Sequence, residues 1–206
     1  MRLPELLILR HGETEWNREG RMQGRLDSPL TMKGREQAAA QGRILSGIAQ
    51  GFDWYVSPRG RVIETARIAS GGAVLREDAR LAEIDMGDWT GRLRDEIAAE
   101  APHLFRDDGS DIAYYHAIPG GDTLQAVQER LAEFAACLSR PSVIVTHGIA
   151  SRVLRCIALG LPWEAFEELD GGQGVVYRIA PGIYDKLTEQ GAIPQPRPLA
   201  PQAALR

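Results

Sequence analysis

Cysteine is scarce in this chain, with only Cys137 and Cys156 among 206 residues. Both fall inside predicted helices and at no redox or metal-ligand spacing. That excludes a disulfide framework and a thiolate metal centre, and both are expected as buried free thiols. Such usage fits a reducing compartment, so a cytoplasmic location is expected. Histidine is also sparse, at four residues. None of the four shows ligand-pair spacing and no carboxylate-rich strand end accompanies them, so no metal or other cofactor is expected. Long apolar runs are missing, and Met1-Arg2-Leu3-Pro4-Glu5 lacks the apolar core of a signal peptide. No membrane partner is therefore expected. Neither sign of charge dominates, the formal net charge being -4, which gives no reason to expect nucleic acid or an anionic lipid surface. Internal repeats are absent.

What is present is the composition of a globular domain, 44% apolar and 25% charged, in a chain long enough for one domain and a tail. Glu5 to Arg10 reads as a buried strand, and the polar stretch from Glu13 to Pro29 as a long loop, a feature usually tied to function. Thr31 can cap a helix running to about Ile48, with Ala38, Gln41, Leu45 and Ile48 on one face. A strand is expected over Phe52 to Val56, a helix over Gly60 to Ser70, and a weak strand at Val74-Leu75. Leu81 to Gly91 reads as loop, Leu93 to Ala99 as a short helix, and Pro102 to Ile118 as a helical cap or lid. Trp16, Met22, Tyr114 and Tyr115 are expected in the core, with an apolar pocket lining as the alternative. Leu124, Val127, Leu131, Phe134 and Leu138 recur on one helical face. A strand from Ser142 to Thr146, a helix from about Ile149 to Leu159 stopped by Gly160 and Pro162, and a last strand from Gly174 to Ala180 complete the domain. From Asp185 the periodicity is lost. Ile193-Pro194-Gln195-Pro196-Arg197-Pro198 predicts an extended tail outside any ladder, giving a domain over 1–184 and a Pro-rich tail over 185–206. Alternating strands and helices indicate an α/β fold with a largely parallel sheet.

Two strands end alike. Leu7-Ile8-Leu9 runs into Arg10-His11-Gly12, and Val143-Ile144-Val145-Thr146 runs into His147-Gly148. Ligands of open α/β sheets gather at the carboxyl ends of strands. With Arg61 in a helix's first turn and Glu83 in a loop, the residues offered are two guanidiniums, two imidazoles and a carboxyl group. Arginine grips a phosphoryl group by paired hydrogen bonds and stays charged. A neutral imidazole is a competent nucleophile near pH 7, and a carboxylic acid can protonate a leaving alkoxide. This reading reaches a phosphate-handling α/β enzyme without a metal.

The residues also resemble a known family. The stretch Leu9-Arg10-His11-Gly12-Glu13-Thr14-Glu15-Trp16-Asn17 is similar to the signature of the histidine phosphatase superfamily, also called phosphoglycerate mutase-like. Ser57 through Ala66, Leu81 through Gly91, Pro119-Gly120-Gly121-Asp122-Thr123 and Val145-Thr146-His147-Gly148 follow in family order. The resemblance implies a three-layer αβα sandwich with a mostly parallel central sheet. It implies that His11 is the nucleophile, that Arg10, Arg61 and His147 hold the phosphoryl group, and that Glu83 is acid and then base. Asn17, Gln23 and Gly24 occupy positions that line the substrate pocket in relatives, and the backbones of Gly12 and Gly148 would pass close to the phosphate.

Three departures stand out. Arg59 replaces a usual apolar residue, leaving it to reach the pocket mouth or to stay solvated. Asp122-Thr123 replaces the commoner Glu-Ser. The Arg-His-Tyr-Gly stretch of cofactor-dependent phosphoglycerate mutases is missing, which places the chain nearer the phosphatase branch. The expected activity is hydrolysis of a small-molecule phosphomonoester through a phosphohistidine. A cofactor-dependent phosphoglycerate mutase and a non-catalytic phospho-ligand binder are the alternatives. A homodimer is allowed by the sequence and not required by it.

Overall fold

A computed structural model describes residues 3–105 and 113–196. Strand β1 (Leu6–Arg10) lies at the middle of a seven-stranded sheet. On one side it pairs in parallel with β4 (Ser142–Thr146), which pairs with β2 (Asp53–Val56), which pairs with β3 (Leu75–Glu77). On the other side β5 (Val176–Ala180), β6 (Ile183–Thr188) and β7 (Gly191–Pro194) follow, all antiparallel. The α/β class expected from the sequence is what is observed, with the sheet mixed and only its β3-β2-β4-β1 half parallel.

The central strands β1 and β4 of the parallel half are covered on both faces, whereas the edge strand β3 is largely exposed. Successive side chains of a strand point to opposite faces. Leu6 and Ile8 pack with Ile144 against α5 (Leu124–Ala136) and α6 (Gly148–Leu159). Leu7 and Leu9 pack with Val143 and Val145 against α2 (Met32–Leu45) and α3 (Gly60–Ser70). Leu6 through Leu9 are fully buried, worth roughly 1.5–3 kcal/mol per side chain. The helix starts follow local chemistry. Thr31 and Thr123 accept from the backbone N–H of Gly34 and Ala126, and Gly160 ends α6 in the left-handed region with φ 69°. The α5 face is buried at Leu124, Val127, Leu131 and Phe134, and Leu138 just beyond the helix continues it.

Several expectations are corrected. The stretch from Asp185 does not leave the domain: β6 and β7 form a hairpin continuing the sheet to Pro194. Proline is tolerated there because β7 is an edge strand with little ladder to lose. The tail residues 197–206 lie outside the described residues. The loop from Glu13 contains a short helix α1 (Glu15–Glu19), started by a reciprocal Thr14–Asn17 capping box. Helix α2 stops at Leu45, leaving Ile48 exposed. A short helix α4 (Arg94–Glu100) follows two single 3₁₀ turns. The proposed lid shows 3₁₀ turns at Pro102–Leu104 and Ala113–His116, residues 106–112 lying outside the described set. Cys156 is buried as expected, but Cys137 is exposed, because it follows α5 on the face of the exposed Glu133, whose carbonyl its thiol meets, while Leu138 continues the buried face. Among the described residues no helix is long and apolar enough to cross a membrane.

Candidate active site

Parallel pairing of β1 and β4 sets Arg10 opposite Thr146. His11 and His147 therefore leave the sheet side by side, with the His11 backbone N–H donating to Thr146 O at 3.0 Å. Their rings meet edge to face, centroids 5.3 Å apart. The third parallel strand, β2, ends at Val56, and its continuation brings Ser57 to the same edge and starts α3, which carries Arg61 in its first turn.

Hydrogen bonds fix both imidazole tautomers. His11 Nδ1 lies 2.7 Å from the carbonyl of Gly12. A carbonyl only accepts, so Nδ1 carries the proton and Nε2 keeps its lone pair. Arg61 Nε–H donates to that lone pair at 3.2 Å. At His147, Nδ1 accepts from Arg61 Nη2 at 3.0 Å, so Nε2–H donates to Ser57 Oγ at 2.7 Å. Burial, and then the positive field of Arg61, holds both histidines well below the usual imidazole pKa, with Arg10 adding to the effect. Both rings are neutral at neutral pH.

The five N–H donors of Arg61 are all engaged. Nη1 donates to Leu26 O at 2.6 Å and Asp27 Oδ1 at 3.1 Å, and Nη2 donates to Gly24 O at 2.9 Å as well as to His147. An incoming phosphoryl group would have to exchange with one of these partners, and the His11 bond is released once Nε2 binds phosphorus. Arg10 is less committed: Nη1 donates to Gly171 O at 3.0 Å, while its buried Nε has no partner among the described residues. Glu83 is held by the start of α6. Its Oε1 accepts from Ile84 and Ala150 N–H at 3.0 and 3.1 Å, and among the described residues its Oε2 accepts only from Ile149 N–H at 3.1 Å. One lone pair on Oε2 thus stays open to a proton.

These groups border a cavity of about 120 Å³ lined by Arg10, His11, Asn17, Gln23, Gly24, Arg61 and Glu83, with Arg21, Met22, Ile84, Met86 and Tyr115 completing the wall. Two larger surface depressions, of about 700 Å³ between the ends of α2 and α3 and about 590 Å³ beside the start of α3, contain neither histidine. Of the residues expected at the site, His147 and Gly148 stand behind the cavity wall. His147 is fully buried, and a methyl group on Gly148 would sit 3.3 Å from Arg10 Cζ. The Gly12 N–H, expected to face the phosphate, donates instead to Thr65 Oγ1 at 3.1 Å. Gln23 is buried with its amide nitrogen unpartnered among the described residues. Tyr114 joins the core, Met22 does so as well while also lining the cavity, Tyr115 lines the cavity, and Trp16 is half-buried outside the core. Arg59 does not line the cavity; it precedes α3, half-buried. Among the described residues no group of three or more His, Cys, Asp or Glu is arranged to hold a metal ion.

Four supporting residues escaped the sequence reading: Ser57, Asp27, Thr65 and Gln173. Ser57 alone carried a usable signal, its place at the carboxyl end of a strand. Asp27 sits in an irregular loop, and Gln173, which donates to His11 O and Asn17 Oδ1 at 3.3 Å each, lies in a loop far along the chain.

Comparison with known proteins agrees with this geometry. The family model described as histidine phosphatase superfamily (branch 1) matches residues 6–185. A relative from Salmonella newport named "Probable phosphoglycerate mutase GpmB" is 37% identical over 168 residues, covering 77% of this chain and 76% of the relative. Among solved structures, Bacillus stearothermophilus YhfR superposes with TM-score 0.74 at 31% identity, covering 91% of this chain and 97% of that one. A mycobacterial glucosyl-3-phosphoglycerate phosphatase, complexed with VO3, gives 0.71 at 31%, covering 86% and 92%. The α-ribazole phosphatase of Shigella flexneri gives 0.72 at 25%, covering 93% and 94%. With an Arg-His pair at one strand end, a second histidine at the next and a family model that matches from β1 into β6, the chain belongs to branch 1 of the histidine phosphatase superfamily.

Proposed function

We propose that this chain hydrolyses small phosphomonoesters through a phosphohistidine on His11. The observation that carries the reading is the His11 tautomer: Nδ1–H is fixed on Gly12 O, and the bare Nε2 stands beside Arg61 in the cavity shared with Glu83. Nε2 attacks phosphorus and the ester P–O bond breaks. Arg10 and Arg61 stabilise charge on the non-bridging oxygens. Glu83, protonated on Oε2, hands its proton to the leaving alkoxide. The resulting carboxylate then takes a proton from water, which attacks phosphorus and breaks the P–N bond, returning His11 neutral and Glu83 protonated. His147 works from behind, holding Arg61 by its Nδ1 lone pair. Asn17, Gln23 and Gly24 meet the alcohol part of the ester.

Rapid quench with a ³²P-labelled phosphomonoester tests this. Label on His11, labile in acid and stable in alkali, is expected; active enzyme with no such label would sink the mechanism. Glu83→Gln is expected to slow alkyl phosphates by about 10²-fold or more and an aryl phosphate with a good leaving group far less. Activity is expected to persist in EDTA, because nucleophile, cradle and acid are all side chains. The name of the 37% identical relative makes transfer to a second hydroxyl the competing reading. Conversion of 3- to 2-phosphoglycerate with a bisphosphate primer, faster than release of phosphate, would favour it.

A further inference from the structure

The turn Pro119-Gly120-Gly121-Asp122-Thr123 stands apart from the groups given roles above, yet it is packed tightly against the segment that carries Glu83. A methyl group on Gly121 would lie 2.4 Å from Asp85 O, and one on Gly87 would lie 2.1 Å from Pro119 O. No other side chain fits between these two turns. Asp122 closes the contact in both directions: its backbone N–H donates to Asp85 O at 3.1 Å, and its Oδ2 accepts from Asp85 N–H at 3.1 Å.

The same carboxylate reaches across to the residue next to Gly24, which lines the cavity. Arg25 Nη2 donates to both oxygens of Asp122, at 3.0 and 2.8 Å. Arg25 is flanked by Gly24 and Leu26, the two residues whose carbonyls hold the Arg61 guanidinium. A third cation, Arg130, stands 3.9 Å from Asp122 Oδ2 and donates to Glu83 O at 3.2 Å and to Arg80 O. A ring of contacts therefore runs from Arg61 through the Gly24–Leu26 backbone, Arg25 and Asp122 to Glu83. Asp122 touches both sides through hydrogen bonds, and Arg25 adds a longer ion pair of its own to Asp85 Oδ2 at 3.6 Å.

We propose that Asp122 is a positioning residue that sets the distance between the His11–Arg61 side of the site and Glu83, so that the acid meets the leaving oxygen. The proposal rests on the acid role given to Glu83 above. Loss of Asp122 leaves the His11 tautomer untouched, because no contact of that ring involves this turn. It loosens the Asp85 turn and releases Arg25, the neighbour of the cavity-lining Gly24, from its two hydrogen bonds. The cost falls on the step that needs a proton, and so on esters with poor leaving groups.

The test compares kcat and kcat/KM for an alkyl phosphate and for p-nitrophenyl phosphate. Asp122→Ala is expected to lower kcat on the alkyl ester about 10- to 100-fold and on the aryl ester by less than about 3-fold. Asp122→Glu, which keeps the carboxylate, is expected to recover most of the loss. In the Glu83→Gln background, Asp122→Ala is expected to add no further loss, because the group it positions is already disabled. Equal losses on both esters, or full additivity with Glu83→Gln, would overturn the proposal. Should Asp122→Ala fold poorly, Asp122→Asn and the solvent-exposed Arg25→Gln carry the same comparison, with the same selective pattern expected at smaller size. If Glu83→Gln itself slows both esters equally, the acid assignment fails. If Glu83→Gln is selective and the Asp122 variants are not, only the positioning role fails.

Discussion

His11 attacks phosphorus only while its Nε2 lone pair is bare. Burial and the Arg61 and Arg10 charges keep it so by pushing its pKa well below the usual histidine value, and His147 is held down by burial and Arg61 in the same way. The sign for stability follows. In the unfolded chain both rings take up protons near pH 6.5, while in the fold they stay neutral. Their contribution is therefore complete above about pH 6.5 and is lost as pH falls from there toward the depressed folded values. Thermal melts should show a fall in stability from pH 7 to pH 5 that is smaller in His11→Asn. The acid limb of the phosphoenzyme-forming rate should lie below pH 6.5; a limb at or above it would mean the ring protonates as freely as in water. Ser57 makes a second case at this scale. Ser57→Ala leaves the buried His147 Nε2–H without its acceptor, which should cost about 1–3 kcal/mol in urea unfolding. An unchanged unfolding midpoint would show that water replaces the hydroxyl.

Among the elements, α6 serves the site at both ends. Its first amides hold Glu83. Further along, Arg155 is fully buried with no carboxylate partner among the described residues; it donates to Tyr184 Oη at 2.9 Å, Ser151 O at 3.4 Å and Asp170 O, with its guanidinium 3.7 Å from the Tyr177 ring centroid. It thereby ties α6 to β5, to β6 and to the loop that offers Gly171 O to Arg10 and Gln173 to His11 O. Arg155→Met should lower stability by roughly 2–3 kcal/mol and raise the inhibition constant for inorganic phosphate. A stability loss with unchanged phosphate inhibition would separate this support from the site. The elements of the parallel half were legible because their signals are local: the threonine caps, the α5 period, the apolar runs ending in Arg10-His11 and Thr146-His147. The β6–β7 hairpin was not. Asp185, Lys186 and Pro194 erase the alternation, and an edge position that tolerates them is set by β5, not by the segment itself. The supports of the site escaped for a related reason. Ser57 and His147 are 90 residues apart, and Gln173 and His11 are 162 apart, so only the assembled sheet brings them together.

At the scale of the whole molecule, the parallel half of the sheet carries the reacting groups and the helix layers lock its carboxyl edge. The tightest lock is where α2 meets the chain leaving β1. A methyl group on Gly12 would sit 2.1 Å from Gly34 O, and one on Gly34 would sit 2.0 Å from Glu13 O. Both obstacles are backbone, so neither can swing aside. The start of α2 cannot easily retreat, because Thr31 caps Gly34 N–H at 2.9 Å and its own N–H donates to Glu13 O at 2.9 Å. Packing of the α2 layer and placement of the nucleophile are thus one constraint. Gly34→Ala should either push α2 off the sheet or displace the Gly12–Glu13 backbone, and with it the Gly12 carbonyl that fixes the His11 tautomer. The expected cost is about 1–3 kcal/mol or more in urea unfolding, together with a fall in acid-labile label on His11. Wild-type stability and labelling in Gly34→Ala would show that the helix layer slides freely and that the two are separate.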